Sequence, residues 1–236
     1  MSVFTSLIII ILAMVIQACL GLAPGVFAIF YHYALGKTTT KKADDRSLSF
    51  ILGVEICSAL IFLAVYITVS FFVTEKEFLN TVFRWILSGI FLAEAFFCFF
   101  FYYKSRAKKS KSTELFLSRH FVRNIILRVE QSKNRSDTII LGIITCALEL
   151  FITLPLYIIC SIEIPNISPT CGFLFIIAYI VIATIPLFTI RSFFRVGRNL
   201  AEIQLIRLKQ KFPVRIILTV CFTALSVITI IIGVNS

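Results

Sequence analysis

Residues 3–35 read VFTSLIIIILAMVIQACLGLAPGVFAIFYHYAL, a run of 33 residues with no Asp, Glu, Lys or Arg. Such a run has to be solved as a helix in a bilayer, because a lipid-exposed backbone must satisfy its own N–H and C=O groups. A hydrocarbon core of about 30 Å needs only about 20 helical residues. At 1.5 Å per residue this run would stretch to about 50 Å. The excess predicts a tilt or an interruption, and Gly21-Leu-Ala-Pro24-Gly25 in its middle is the place for one. No basic residue precedes Lys37, so the run reads as a retained first span and not a cleaved signal peptide, which needs a basic start.

Five more apolar runs follow: Leu48 to Val73, Phe78 to Tyr103, Thr138 to Cys160, Cys171 to Phe194 and Val214 to Val234. They are continuous and not alternating, which selects helices over a membrane β-barrel. The composition agrees. Hydrophobic residues make up 59% of the 236 and charged residues 15%, against about 25% charged in an ordinary globular domain. The expected fold is all-α: a polytopic membrane protein of six transmembrane helices arranged as two inverted three-helix repeats. A single membrane domain would fill 1–236, with a first repeat at 1–103, a basic connector at 104–137 and a second repeat at 138–236.

The net charge of +11 rests on 23 basic and 12 acidic residues. In a soluble chain that balance points to nucleic acid, but no base-stacking aromatic motif sits among these residues, and nucleic acid is rejected as a partner. The positions explain the charge better. Lys37, Lys41, Lys42 and Arg46 lie in the first connector, ten more lie between Lys104 and Arg135, and seven lie between Arg191 and Arg215. Only Lys76 and Arg84 fall in the alternate set of connectors. The positive-inside rule then puts connectors one, three and five in the cytoplasm and both termini outside. In the third connector, Thr113 to Glu130 carries apolar residues at helical spacing between Arg119, Arg123 and Arg128, which predicts an amphipathic helix on an anionic inner leaflet. Asn199 to Phe212 reads as a shorter version.

Ionisable residues inside apolar runs are functional candidates because a lone charge there costs about 2.5–3.5 kcal/mol or more. Glu55, Glu94 and Glu149 are of this kind. Arg84 and Arg191 lie nearer helix ends and are expected to snorkel. Helix breaks line cavities in transporters. Gly21, Pro24 and Gly25 in helix one and Pro155 in helix four occupy corresponding positions of the two halves, with Pro186 in helix five expected to matter less. The reading places a substrate cavity between helices one and four, formed by Gly21, Pro24, Gly25, Glu55, Glu149 and Pro155, with Glu149 and Glu55 as proton-coupling acids and Glu94 as a structural one. Gln17 and His32 are further candidates for its wall.

The seven cysteines form no C-x-x-C pair, and two distant histidines make a zinc site improbable. No metal or cofactor is expected, and no phosphate loop or nucleophile elbow marks an enzyme. Cys160 and Cys171 flank a short outer loop within reach of pairing.

Gly21-Leu-Ala-Pro24-Gly25, Ala34-Leu-Gly-Lys37 and Leu52-Gly53-Val54-Glu55 together resemble the N-terminal half of the LysE-type amino-acid exporters. That family carries a Gly-Leu-x-Pro-Gly-Pro turn in helix one, a basic first loop, and a Gly-rich second helix bearing an acid. Val26 stands in place of the second proline of the turn, and helix four lacks the family's Asn-Pro pair. The wider superfamily, which includes DsbD-type thiol carriers, is built from inverted three-helix repeats. The resemblance implies a secondary transporter of the bacterial inner membrane that exports a small solute, an amino acid or a cation, with proton coupling. It is compatible with a homo-oligomer. The alternatives are a thiol-disulfide carrier using Cys19 and Cys146, and a non-transporting membrane scaffold.

The charge bias makes a direct prediction about sidedness. Single cysteines at Lys109 and Lys209, in a background without native cysteines, are expected to be shielded from an impermeant thiol reagent applied outside intact cells, while one at Asn235 reacts. Labelling at Lys109 from outside would reverse the orientation.

Overall fold

The computed structural model describes residues 3–20, 22–72, 77–100, 127, 134–167 and 172–234. Among them every regular element is an α-helix: α1 (Val3–Cys19), α2 (Leu22–Lys37), α3 (Thr40–Phe72), α4 (Glu77–Phe100), α5 (Arg135–Ile167), α6 (Gly172–Arg195) and α7 (Leu200–Val234). Together α1 and α2 make one candidate span, and five more follow, so six segments are long and apolar enough to cross a membrane. The long first run is interrupted where its glycines and proline predict. Gly21 itself, Cys171 and the expected amphipathic helix at Thr113–Glu130, apart from Leu127, lie outside the described residues.

The helix ends follow local chemistry. Asn134 precedes α5, and its backbone N–H donates to Asp137 Oδ2 at 3.2 Å, the reciprocal half of a capping box. Asn199 caps α7 by accepting the Glu202 N–H at 2.9 Å. The far end of α6 closes on Gly197, whose φ of 87° suits a residue without a Cβ. Arg198 N–H then reaches Phe193 O at 3.1 Å and Gly197 N–H reaches Phe194 O at 3.0 Å, the two bonds of a Schellman motif.

Two corrections concern lengths. The fourth span does not end at Cys160 but runs helical to Ile167, through Pro165. Asn199 to Phe212 is not a separate surface helix; it is the first part of α7, continuous through Pro213 into the sixth span.

The tightest packing joins α3 to α5. A Cβ on Gly53 would collide with the backbone carbonyl of Ile139, and one on Gly142 with that of Phe50. Further along, Ser58 Oγ meets Cys146 Sγ at 3.2 Å and Phe62 stacks on Tyr157 with centroids 4.9 Å apart. The paired numbers rise together, so these helices run parallel. By contrast α4 and α7 run antiparallel: Ser88 and Ser226 exchange side-chain-to-backbone hydrogen bonds of 3.1 and 3.0 Å, and Phe91 faces Phe222. Small residues and reciprocal serines are how helices associate where lipid removes the hydrophobic incentive.

The outward surface is apolar. Phe151 is 91% exposed, and Phe71, Ile67, Phe100, Phe173 and Val220 are exposed as well. A water-soluble monomer rarely shows apolar patches on this scale; acyl chains tolerate them.

Because the close approach admits no side chain, Gly53→Ala and Gly142→Ala are each expected to cost about 1–3 kcal/mol, the usual penalty for overpacking. Gly36, with nothing within 4 Å of an added Cβ, should accept alanine without loss. Thermal unfolding in detergent checks all three, and a Gly142→Ala protein as stable as the parent would remove this contact from its central place.

Candidate functional site

At the break in the first span, Leu20 ends α1 by donating to Ile16 O and Gln17 O at 3.0 and 3.3 Å. The chain restarts as α2 at Leu22. Pro24 falls in the first turn of α2, where its missing N–H removes no helical bond. A fresh helix start leaves first-turn N–H groups to be satisfied from elsewhere. One of them, Ala23 N–H, donates to Glu149 Oε1 of α5 at 2.6 Å. The carboxyl group thus sits on the positive end of a half-helix, and Glu149 is only 9% exposed. It belongs to a buried stripe on α5 (Thr138, Gly142, Thr145, Glu149, Thr153) whose three- and four-residue spacing turns one face of the helix inward.

Glu55, half-buried on α3, accepts from Thr184 Oγ1 of α6 at 3.3 Å. Glu55 and Glu149 therefore have separate partners on different helices. Gln17, buried near the end of α1, accepts from Tyr179 OH at 3.3 Å. His32 does not line an interior wall; it is exposed and lies edge-on to Tyr33. Glu94 is partly buried, and its Oε2 has no hydrogen-bond partner among the described residues. Pro155 sits inside α5, which continues past it.

A cavity of about 310 Å³ lies beside the break. Cys19, Leu20 and Pro24 form one wall, Pro186, Thr189 and Phe193 of α6 a second, and Ile203, Gln210 and Val214 of α7 the third. It is bounded by spans one, five and six. Neither Glu55 nor Glu149 is among its lining residues. Pro186, ranked low from sequence, is part of the wall. The break itself joins the two features: Pro24 faces the cavity and the preceding Ala23 holds Glu149.

Sequence reasoning missed one residue. Glu163 falls between the apolar runs that end at Cys160 and begin at Cys171, yet it lies fully buried on the extension of α5 and binds Arg84 Nη1 at 2.7 Å. Arg84 does not snorkel; it is 1% exposed. A signal was present, because Arg84 and Lys76 break the basic-residue alternation and an arginine at that end needs an acid. Arg191 does not snorkel either. It grips Asp44 through Nε and Nη2 at 2.9 and 2.7 Å, and Arg195 and Tyr31 join the same carboxylate at 3.1 and 3.2 Å. With Arg135 on Asp45, this places the starts of α3 and α5 and the end of α6 at one basic end of the bundle.

Cys19 and Cys146, the proposed thiol pair, are both free and keep different company: Cys19 on the cavity wall, Cys146 on Ser58. Cys160 is free and buried, and its proposed partner Cys171 lies outside the described residues. No group of three His, Cys, Asp or Glu among the described residues is placed to hold a metal.

Six apolar spans with a lipid-type surface, a broken first span and buried acids define a multi-pass membrane protein. No family model matches this chain, and neither the curated proteins nor the solved structures yield a similar one.

The Ala23–Glu149 bond allows its structural share to be separated from any functional one. Glu149→Gln keeps an acceptor oxygen and should fold like the parent, whereas Glu149→Leu strands the Ala23 N–H and should cost about 1–3 kcal/mol. Thermal stability in detergent reads the difference, and equal stabilities would mean that the bond does not hold the break.

Proposed function

We propose that this chain is a secondary transporter that exports a small solute, an amino acid or a cation, with proton coupling through Glu149. The observation that carries the reading is the acid of α5 bonded to the first turn of a half-helix whose adjoining residues wall a cavity of about 310 Å³. Broken helices with ionisable partners near midspan are how transporters build a substrate site. An ionised Glu149 is a strong acceptor favoured by the α2 dipole, and a protonated one is weaker. Proton binding therefore loosens the hold on the break and frees Leu20–Pro24 to move, which reshapes the cavity wall. Glu55, two residues past Gly53 and bonded to the α6 segment that leads into Pro186, is the secondary coupling acid.

The arrangement that fits is two inverted three-helix halves. Ser6–Glu163 and Ala23–Glu149 make the first span of each half antiparallel to the other. The basic end faces the cytoplasm of a bacterial cell against anionic inner-leaflet lipids, with both termini outside.

The test is flux in proteoliposomes against a panel of amino acids and divalent cations, with and without an imposed pH gradient. Glu149→Gln is expected to abolish the dependence on the gradient in a folded protein, Glu55→Gln to reduce it, and Glu94→Gln to leave it. Pro24→Ala should lower flux more than it lowers folded yield. Unchanged pH dependence in both Glu149→Gln and Glu55→Gln would end the coupling proposal.

A further inference from the structure

The Arg84–Glu163 pair lies at the far end of the bundle from the cavity. Val214 of the cavity wall and Gly233, where an added Cβ would come within 3.5 Å of Arg84, are 19 residues apart on α7, or about 28 Å of helix. At the cavity end the wall reaches the surface through exposed Gln210. Toward the other end three aromatic rings pack together. Phe62, Tyr157 and Tyr179 meet with centroids 4.9, 5.1 and 5.6 Å apart, and Tyr179 is tied to Gln17 just before the break. Beyond them Glu163 takes Arg84 Nη1 at 2.7 Å, Ser6 Oγ at 2.7 Å and Asn166 Nδ2 at 3.3 Å, while Arg84 Nε reaches Asn80 at 3.0 Å. Glu163 is 0% exposed.

We infer that Arg84, Glu163 and Ser6 form a gate that closes the path at the end opposite the basic connectors, a role that rests on the transporter reading. They bind α1, α4 and α5 together, the first, third and fourth spans, through charges that gain little over a well-packed apolar core. What charges offer and leucines do not is a second satisfied state. Closed, the carboxylate and guanidinium satisfy each other. Parted, both are satisfied by the water that enters, so the seal can open without stranding a polar group. An apolar plug in the same place would be penalised on wetting. The structure thus corresponds to the state open toward the basic end, with the opposite gate shut.

The test uses the full-length protein with Cys19, which lines the cavity, as its sole cysteine, in oriented membrane vesicles. A charged, membrane-impermeant methanethiosulfonate is applied from either face. In the parent, Cys19 is expected to react from the basic face only. Ser6→Ala removes one hydrogen bond to a charged group and is expected to raise the rate from the opposite face about tenfold. The double variant Arg84→Gln with Glu163→Gln, which leaves no unpaired charge, should raise it further. If the double variant does not fold, Ser6→Ala decides alone. Rates from the opposite face that stay at the parent value in the folded variants overturn the gate. Labelling is read without solute, so gated labelling in a protein that moves nothing on the panel counts against the transport reading alone, and ungated labelling with intact flux counts against the gate alone.

Discussion

The distance between α3 and α5 is set by two residues that lack side chains. Gly53 lies on the Ile139 carbonyl and Gly142 on that of Phe50, and no other residue type fits either place. In lipid, where burying apolar surface gives no advantage over leaving it exposed, contact this close between backbones is a main source of helix association. Its consequences run outward. The parallel pair leaves no room along its own seam, and the cavity beside the break lies against α6 and α7. The inward stripe of α5, which begins at Thr138 and passes through Gly142, carries Glu149 seven residues later to the break between α1 and α2.

The buried polar groups fall into two levels. At the ends, charges are held against charges: Asp44 with Arg191 and Arg195 at one end, Glu163 with Arg84 at the other. Near midspan the acids are held by neutral donors, Glu149 by the Ala23 N–H and Glu55 by the Thr184 hydroxyl. An ion pair with bidentate or multiple bonds fixes register. The printed bonds of the midspan acids thus come from neutral groups, where those at the ends come from charged ones.

What could be read from the sequence was whatever depends on one helix at a time. Span number, the break at Leu20–Leu22, the placing of Glu149 within a span and the convergence of basic residues on one end all follow from local apolar length, from glycine and proline, and from where Lys and Arg fall. The rest depends on pairs of helices. Glu163 looked like a connector residue because Pro165 and Asn166 are ordinary turn signals, and only its burial against Arg84 lets the helix run past them. His32 sits in an apolar run yet points outward, since the run alone gives depth and not facing.

A single bond of the Ala23–Glu149 kind is of the right size for coupling. Hydrogen bonds to charged groups contribute about 1.5–3 kcal/mol, and coupling between two sites generally amounts to about 1–3 kcal/mol. A much stronger hold would keep the break fixed whatever the proton did, and a weaker one would be lost in thermal motion. Its position matters as much as its strength. The bond is made by backbone, so under the proposed coupling a change in the proton state of Glu149 would reach the chain at Ala23, one residue from the Pro24 wall of the cavity, with no partner side chain to absorb it. A carboxyl group that instead lined the cavity would compete with the solute for its own wall. Set behind the break, the Glu149 of the proposed mechanism would govern the shape of the site without occupying it.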